Sequence, residues 1–230
     1  MNDKSDYRRV TQILYPFSGL EKIDKEIVQH AAERGTKVHQ ICEGIMMGLG
    51  ELNVDDETRP YVESFKKWWE IGWSIREMEK RFWCDELKIT GQVDLIIDTE
   101  HGLAIVDIKT SYKPSKTWQV QGSAYAYLAR KAGYDVKRLY FLHLDRKGGQ
   151  PKLIEYEIDE GFFLSVLRVF NHFFVLCLEK LSDKLLKRLE DWRKKVASQE
   201  KLKQKDQNQT NFVSRRDFGD EMEDEYNDNR

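Results

Sequence analysis

The sequence predicts a mixed α/β fold, a central sheet flanked by helices. Three observations carry that expectation. Residues 25–71 repeat apolar positions at helical spacing, residues 74–110 switch to three consecutive strand-like segments, and a helical segment at 115–132 then separates these from two more strands. A helix that leaves one strand and leads into another fits a right-handed crossover to a parallel neighbour.

The elements follow in order. The first residues are polar up to Val10-Thr11-Gln12-Ile13-Leu14, after which Pro16 and Gly19 punctuate the chain. Val38, Cys42, Ile45 and Leu49 predict a helix from about Lys25 to Met47, ended by Gly48 and Gly50. A second helix, about Glu57 to Ile71, carries Tyr61, Phe65, Trp68 and Trp69. Strands are predicted over Ser74 to Cys84, Thr90 to Asp98 and Leu103 to Thr110, parted by Asp85-Glu86 and Glu100-His101-Gly102. The crossover helix, about Ser115 to Ala132, stops at Gly133. Strands Val136 to Leu144 and Leu153 to Ile158 are joined by Arg146-Lys147-Gly148-Gly149. A closing helix starts near Asp159, reaches about Leu181 and continues, more highly charged, toward Ala197.

Composition bounds the organisation. With 230 residues, 40% hydrophobic and 12% aromatic, the chain can build one full core, expected over residues 1–198 with an N-terminal helical part and a C-terminal helix. Residues 199–230 are Lys-, Gln- and Asn-rich and then acidic, and are expected to be disordered. Residues 206–230 carry a charge of −5 of the chain's net −2, so residues 1–205 are mildly basic at +3. A solubilising end is the simpler reading of that tail. The alternatives are that Glu221 to Glu225 mimics DNA across a cleft, or recruits a basic protein partner. Cys42, Cys84 and Cys177 are too few and too scattered for a disulfide framework, a zinc site or an iron–sulfur cluster. The N-terminus lacks the apolar core of a signal peptide, and Arg168, Asn171 and His172 interrupt the apolar run Phe162 to Leu178. A cytoplasmic protein with no membrane partner is expected.

The chemistry concentrates between residues 91 and 125. Asp107 and Lys109 sit two apart on one strand, so they emerge on the same side while Ile108 faces the other. On the preceding strand Val93, Leu95 and Ile97 share one face and Asp94 opposes them. Two carboxylates from neighbouring strands can therefore converge on one cation, and hard oxygen ligands favour Mg²⁺ or Mn²⁺. A lysine beside them is positively charged at neutral pH, which suits an electrostatic partner of a phosphate better than a general base. Gln121 and Tyr125 are one helical turn apart, placed to hydrogen-bond a phosphate or a ligand water. Trp118, three positions earlier, is either core or a stacking surface for an unpaired base. Asp-x-Lys alone is common at solvated strand ends; the acid, acid, lysine, Gln and Tyr in this order suit metal-dependent phosphodiester cleavage.

These residues resemble the PD-(D/E)XK nuclease superfamily and, within it, the RecB-like exonuclease group. Gly91 with Asp94 matches Gly-x-x-Asp, Asp107 with Lys109 matches Asp/Glu-x-Lys, Gln121 with Tyr125 matches Gln-x-x-x-Tyr, and Gly35 with His39 matches an upstream Gly-x-x-x-His. The resemblance spans roughly Val10 to Ile158 and implies a restriction-endonuclease-like fold. It implies that His39, Asp94, Asp107 and the Ile108 carbonyl hold one or two Mg²⁺ or Mn²⁺ ions, with Lys109 catalytic. Glu79, where relatives often keep an acid, and Glu43, one turn after His39, are further candidates. Lys113 and Lys116 are candidate DNA contacts beside Trp118. The group's iron–sulfur cluster and helicase motor are not expected, because the cysteines and a Gly-Lys-Ser/Thr phosphate loop are missing. The chain is similar to stand-alone phage-encoded and mitochondrial genome maintenance exonucleases. By that likeness its partner is DNA, single-stranded or at ends, cut to 5′-phosphate products in recombination, repair or replication. A catalytically silent DNA-binding copy and a structure-specific endonuclease are the alternatives.

Overall fold

Six strands form one sheet in the computed structural model, which describes residues 6–176. They are β1 (Arg8–Arg9), β2 (Ser74–Cys84), β3 (Ile89–Thr99), β4 (Gly102–Lys109), β5 (Val136–His143) and β6 (Lys152–Tyr156). The order is β1-β3-β4-β5-β6, with β2 also paired to β3. β2, β3 and β4 form an antiparallel meander, β4 and β5 are parallel, and β6 returns antiparallel to β5.

The helices are α1 (Val10–Leu14), α2 (Lys25–Met46), α3 (Arg59–Trp69), α4 (Trp118–Lys131) and α5 (Glu160–Phe170). Asp24 caps α2 by accepting from Glu26 N at 2.7 Å. Gly48, at φ +75°, ends it in the left-handed conformation that a side chain resists. Pro60 sits in the first turn of α3, where a missing N–H costs nothing. α4 lies between β4 and β5 in the chain, as a crossover between parallel strands requires.

Two helix layers sandwich the sheet. Val38 and Cys42 of α2 and Phe65 and Trp68 of α3 share a buried cluster with Leu95, Ile97, Ala104, Val106 and Ile108. Each Val, Leu, Ile and Phe among these contributes roughly 1.5–3 kcal/mol by leaving water. α4 covers the opposite face, against β3, β4 and β5, and α5 packs on α4. Gly122 lets α4 approach: a Cβ there would fall 2.4 Å from both methyls of Leu139. β3 is buried on both faces along most of its length because it has a helix layer on each side.

The chain divides into two compact units, Met1–Phe170 and Asn171–Arg230. Of the second, one π-helical turn, Asn171–Leu176, is described. The expected extension of the closing helix toward Ala197 and the expected disordered tail at 199–230 lie outside the described residues. Among the described residues no helix is long and apolar enough to cross a membrane.

Candidate active site

The site forms where two strands part. β3 pairs with β1 at Ile89 and Thr90, and with β4 only from Leu95, opposite Val106, onward. In between, β4 loses β3 but keeps β5, and its backbone groups on the β3 side must be satisfied otherwise. Ile108 N donates to Asp94 Oδ2 at 2.7 Å, and Ile108 O accepts from His39 Nε2 at 2.9 Å. Side chains thus replace the missing strand. His39 comes from α2, on the face opposite α4, and still lies 3.5 Å from Asp94 through Nδ1.

Of the motif glycines Gly91 has a steric reason, whereas a Cβ at Gly35 would make only ordinary contact. A Cβ on Gly91 would stand 2.8 Å from the ring of Tyr125, so this glycine lets the tyrosine lie flat on β3. A Cβ on Gly35 would touch Thr110 Oγ1 at 3.4 Å, so α2 passes close to the end of β4 one turn before His39.

Asp107 and Lys109 project on the α4 face. Asp107 is 2% exposed, and its Oδ2 finds no well-aligned donor, only the Lys109 ammonium at 2.5 Å. Gln121 ties the group together: its Oε1 accepts from Lys109 Nζ at 3.3 Å, and its Nε2 faces Asp107 Oδ1 at 3.3 Å and Tyr125 Oη at 3.0 Å. Gln121 therefore fixes the catalytic-looking pair, and Tyr125 is buried beneath it.

Glu79 joins from β2. One ligand atom from each of His39, Glu79 and Asp94 lies within 4.8 Å of the others. Glu79 has φ +50°, a strained conformation for a side-chain-bearing residue inside a strand, and accepts from Gln92 Nε2 at 2.6 Å. Asp107 stands outside this trio, engaged by Lys109.

The electrostatics follow from crowding acids in a dry place. Burial raises the Asp107 carboxyl to about 6, against the pull of Lys109 and with a push from Asp94. Burial also raises Glu79, as does Asp94. Burial opposes ionisation of Asp94 as well, but His39, Lys109 and the Ile108 N–H outweigh it and its pKa is lowered. For His39 burial disfavours the proton, yet the Asp94 and Asp107 carboxylates raise it to about 9. The cluster holds a positive charge where burial alone would expel it.

A cleft of about 890 Å³ opens onto His39, Glu79 and Lys109. His39, Glu43, Glu79, Gln92 and Lys109 line its polar end, and Leu20, Ile23, Ile27 and Val28 its apolar wall. Of the two readings of Trp118 the core one holds: it is 4% exposed, and its ring stacks on Phe141 with centroids 5.1 Å apart, which leaves no face for a base. α4 begins at Trp118 and turns that residue into the core. Lys113 and Lys116 are exposed on the loop before α4.

Gln92 and Arg34 were not legible as site residues. Arg34 lines the cleft, reaches Thr110 O at 3.5 Å and lies over the Tyr61 ring. Both flank motif glycines, which is the signal that could have found them.

The chain belongs to the PD-(D/E)XK nuclease superfamily, whose model matches residues 53–224. His39 precedes the matched range. No curated protein sequence matches the chain. Among solved structures it is similar to a candidate exonuclease from Eubacterium rectale, at 14% identity over 75% of this chain and 81% of that one, TM-score 0.47. It is also similar to an alkaline exonuclease from Laribacter hongkongensis, at 10% identity over 85% and 95%, TM-score 0.41. That enzyme is also seen in complex with dAMP. Nucleases of this superfamily typically use divalent metals, and His39, Glu79 and Asp94 form a candidate acidic cluster here.

Proposed function

We propose that the chain is a metal-dependent deoxyribonuclease of the RecB-like group, acting as an exonuclease on single-stranded DNA or DNA ends and leaving 5′-phosphates. Such an activity would serve recombination, repair or replication. The observation that carries the reading is the strand fork, where His39, Asp94, Asp107 and Lys109 meet around Ile108.

The residues fit a divalent cation. One imidazole, buried carboxylates and a backbone carbonyl make a hard, mixed nitrogen–oxygen donor set that Mg²⁺ accepts and Mn²⁺ accepts more readily. The Asp94 and Asp107 carboxylates raise His39 to about 9 against its burial, which marks a place that favours positive charge. His39, Asp94, Asp107 and the Ile108 carbonyl would hold the ion, with Glu79 as a further ligand and Glu43 beside it. When bound, the ion supplies acidified water and neutralises charge on phosphorus.

The chain's own residues do the rest. Lys109 holds its ammonium beside Asp107, where it can meet a phosphate oxygen and stabilise the charge that develops during in-line attack. Gln121 keeps Lys109 and Asp107 at a fixed spacing, and Tyr125 supports Gln121 from below.

The test is digestion of end-labelled DNA, single- and double-stranded, linear and circular, with Mg²⁺ or Mn²⁺. The reading expects loss of linear single strands, protection of circles, and no cleavage with EDTA or in Asp107→Ala. Intact substrate under every metal condition contradicts it. Cleavage of circles makes it an endonuclease.

A further inference from the structure

Three residues after Lys109 the chain exposes an aromatic ring that the mechanism does not use. Tyr112 is 68% exposed, in the loop joining β4 to α4. The guanidinium of Arg146, from the turn between β5 and β6, lies over that ring at 4.7 Å from its centroid. This cation–π contact covers one face of the ring and leaves the other to solvent.

Both loops are held from below. Ser111 O accepts from His143 Nε2 at 2.6 Å, and Ser111 Oγ donates to Lys113 O at 3.0 Å. The Asp145 carboxylate accepts from the backbone N–H groups of Lys147 and Gly149, each at 3.0 Å, and Asp145 N donates to Ser64 Oγ at 2.9 Å. The ring is thus presented on a fixed base, beside the exposed cations Lys113, Lys116 and Lys147. Asp145 is the one acid in residues 110–117 and 144–150, and its carboxylate serves the turn. Thr110 and Ser111, where the first loop starts, line the same cleft as His39 and Lys109.

We infer that Tyr112, braced by Arg146, is the stacking platform for an unpaired nucleobase of the strand that enters the cleft. The inference rests on the nuclease reading and names what selects its substrate. A single strand can lay any base on the open face, because every base has a π surface. A duplex keeps its bases stacked inside and cannot offer one. Lys113, Lys116 and Lys147 meet the phosphates on either side. The surface is sequence-tolerant and strand-selective.

The experiment measures binding of a labelled single-stranded oligonucleotide and of its blunt duplex to the intact chain in EDTA, apart from hydrolysis. Tyr112→Ala is expected to weaken single-strand binding about tenfold, with duplex binding unchanged and the salt slope unchanged. Tyr112→Trp restores single-strand binding, whereas Arg146→Ala weakens it by unbracing the ring. An oligonucleotide of abasic sites erases the difference between wild type and Tyr112→Ala. Wild-type affinity in Tyr112→Ala, equal losses on single strand and duplex, or no single-strand binding by the wild type overturns the inference. Cleavage with Tyr112-independent binding refutes the platform alone. Tyr112-dependent binding without cleavage in metal refutes the nuclease reading and leaves the platform.

Discussion

β3 and β4 run together for five residue pairs and then separate, and the two ends of this one hairpin differ in kind. From Leu95 opposite Val106 to Thr99 opposite Gly102 the ladder is in register, and the side chains toward α2 and α3 are apolar and buried. At the other end the ladder is gone, and Asp94, Asp107, Lys109 and His39 occupy the gap. One end is built for stability. The other concentrates charge at the cost of stability, as functional sites commonly do. The lesson is that a sheet makes a site where one edge ceases to pair: Ile108 keeps β5 on one side, and on the side β3 has left its backbone groups bring an acid and an imidazole to one point.

Substitutions at the two ends should fail differently. Asp94→Ala or Asp107→Ala at the fork should lower cleavage roughly a thousandfold or more while the chain stays folded, checked by single-turnover rates beside a thermal melt. Leu95→Ala at the paired end should cost about 2–5 kcal/mol in denaturant unfolding, with the rate per folded molecule kept. Equal effects of both kinds at both ends would dissolve the distinction.

Gly91→Ala tests the join between them. Its Cβ would press on the Tyr125 ring at 2.8 Å. The expected cost is about 1–3 kcal/mol, with a rate loss that follows displacement of Gln121. Wild-type stability and rate would show that the tyrosine has room.

Asp107→Asn sharpens the comparison without metal. The wild-type carboxyl is raised from its ordinary value to about 6 in the folded state. Its contribution is therefore fully present below about pH 4 and lost as pH rises through 6. The variant should be more stable than the wild type by on the order of 3 kcal/mol above pH 7, and not at pH 4. The ion should bind with the opposite pH dependence. Protons leave Asp107 near 6 and His39 near 9, so Mn²⁺ affinity by calorimetry should climb from pH 5 to 9 with proton release. A flat profile would place the ion away from these groups.

Much of this was legible in the sequence, and the reasons are physical. β2 runs over Ser74–Cys84 as its turn residues imply, and α2 stops before Gly48. The two-residue alternation in β3 and β4 is sufficient to set Asp94, Asp107 and Lys109 apart from the apolar face. Local pattern could not reveal the fork, because the point where β3 and β4 stop pairing is a matter of register between strands. Nor could it place Trp118, whose burial follows from Phe141 on another strand. Glu79 reaches the site through an unusual φ that no composition signal marks. Tyr112 reads as an ordinary loop residue until Arg146 is seen above it.

The most direct test is the position of Mn²⁺ in a crystal of this chain, read from its anomalous signal. The account predicts a peak in the fork, within coordination distance of His39, Asp94, Asp107 and the Ile108 carbonyl. A fork empty of signal at saturating Mn²⁺, or an ion bound only elsewhere, would contradict it.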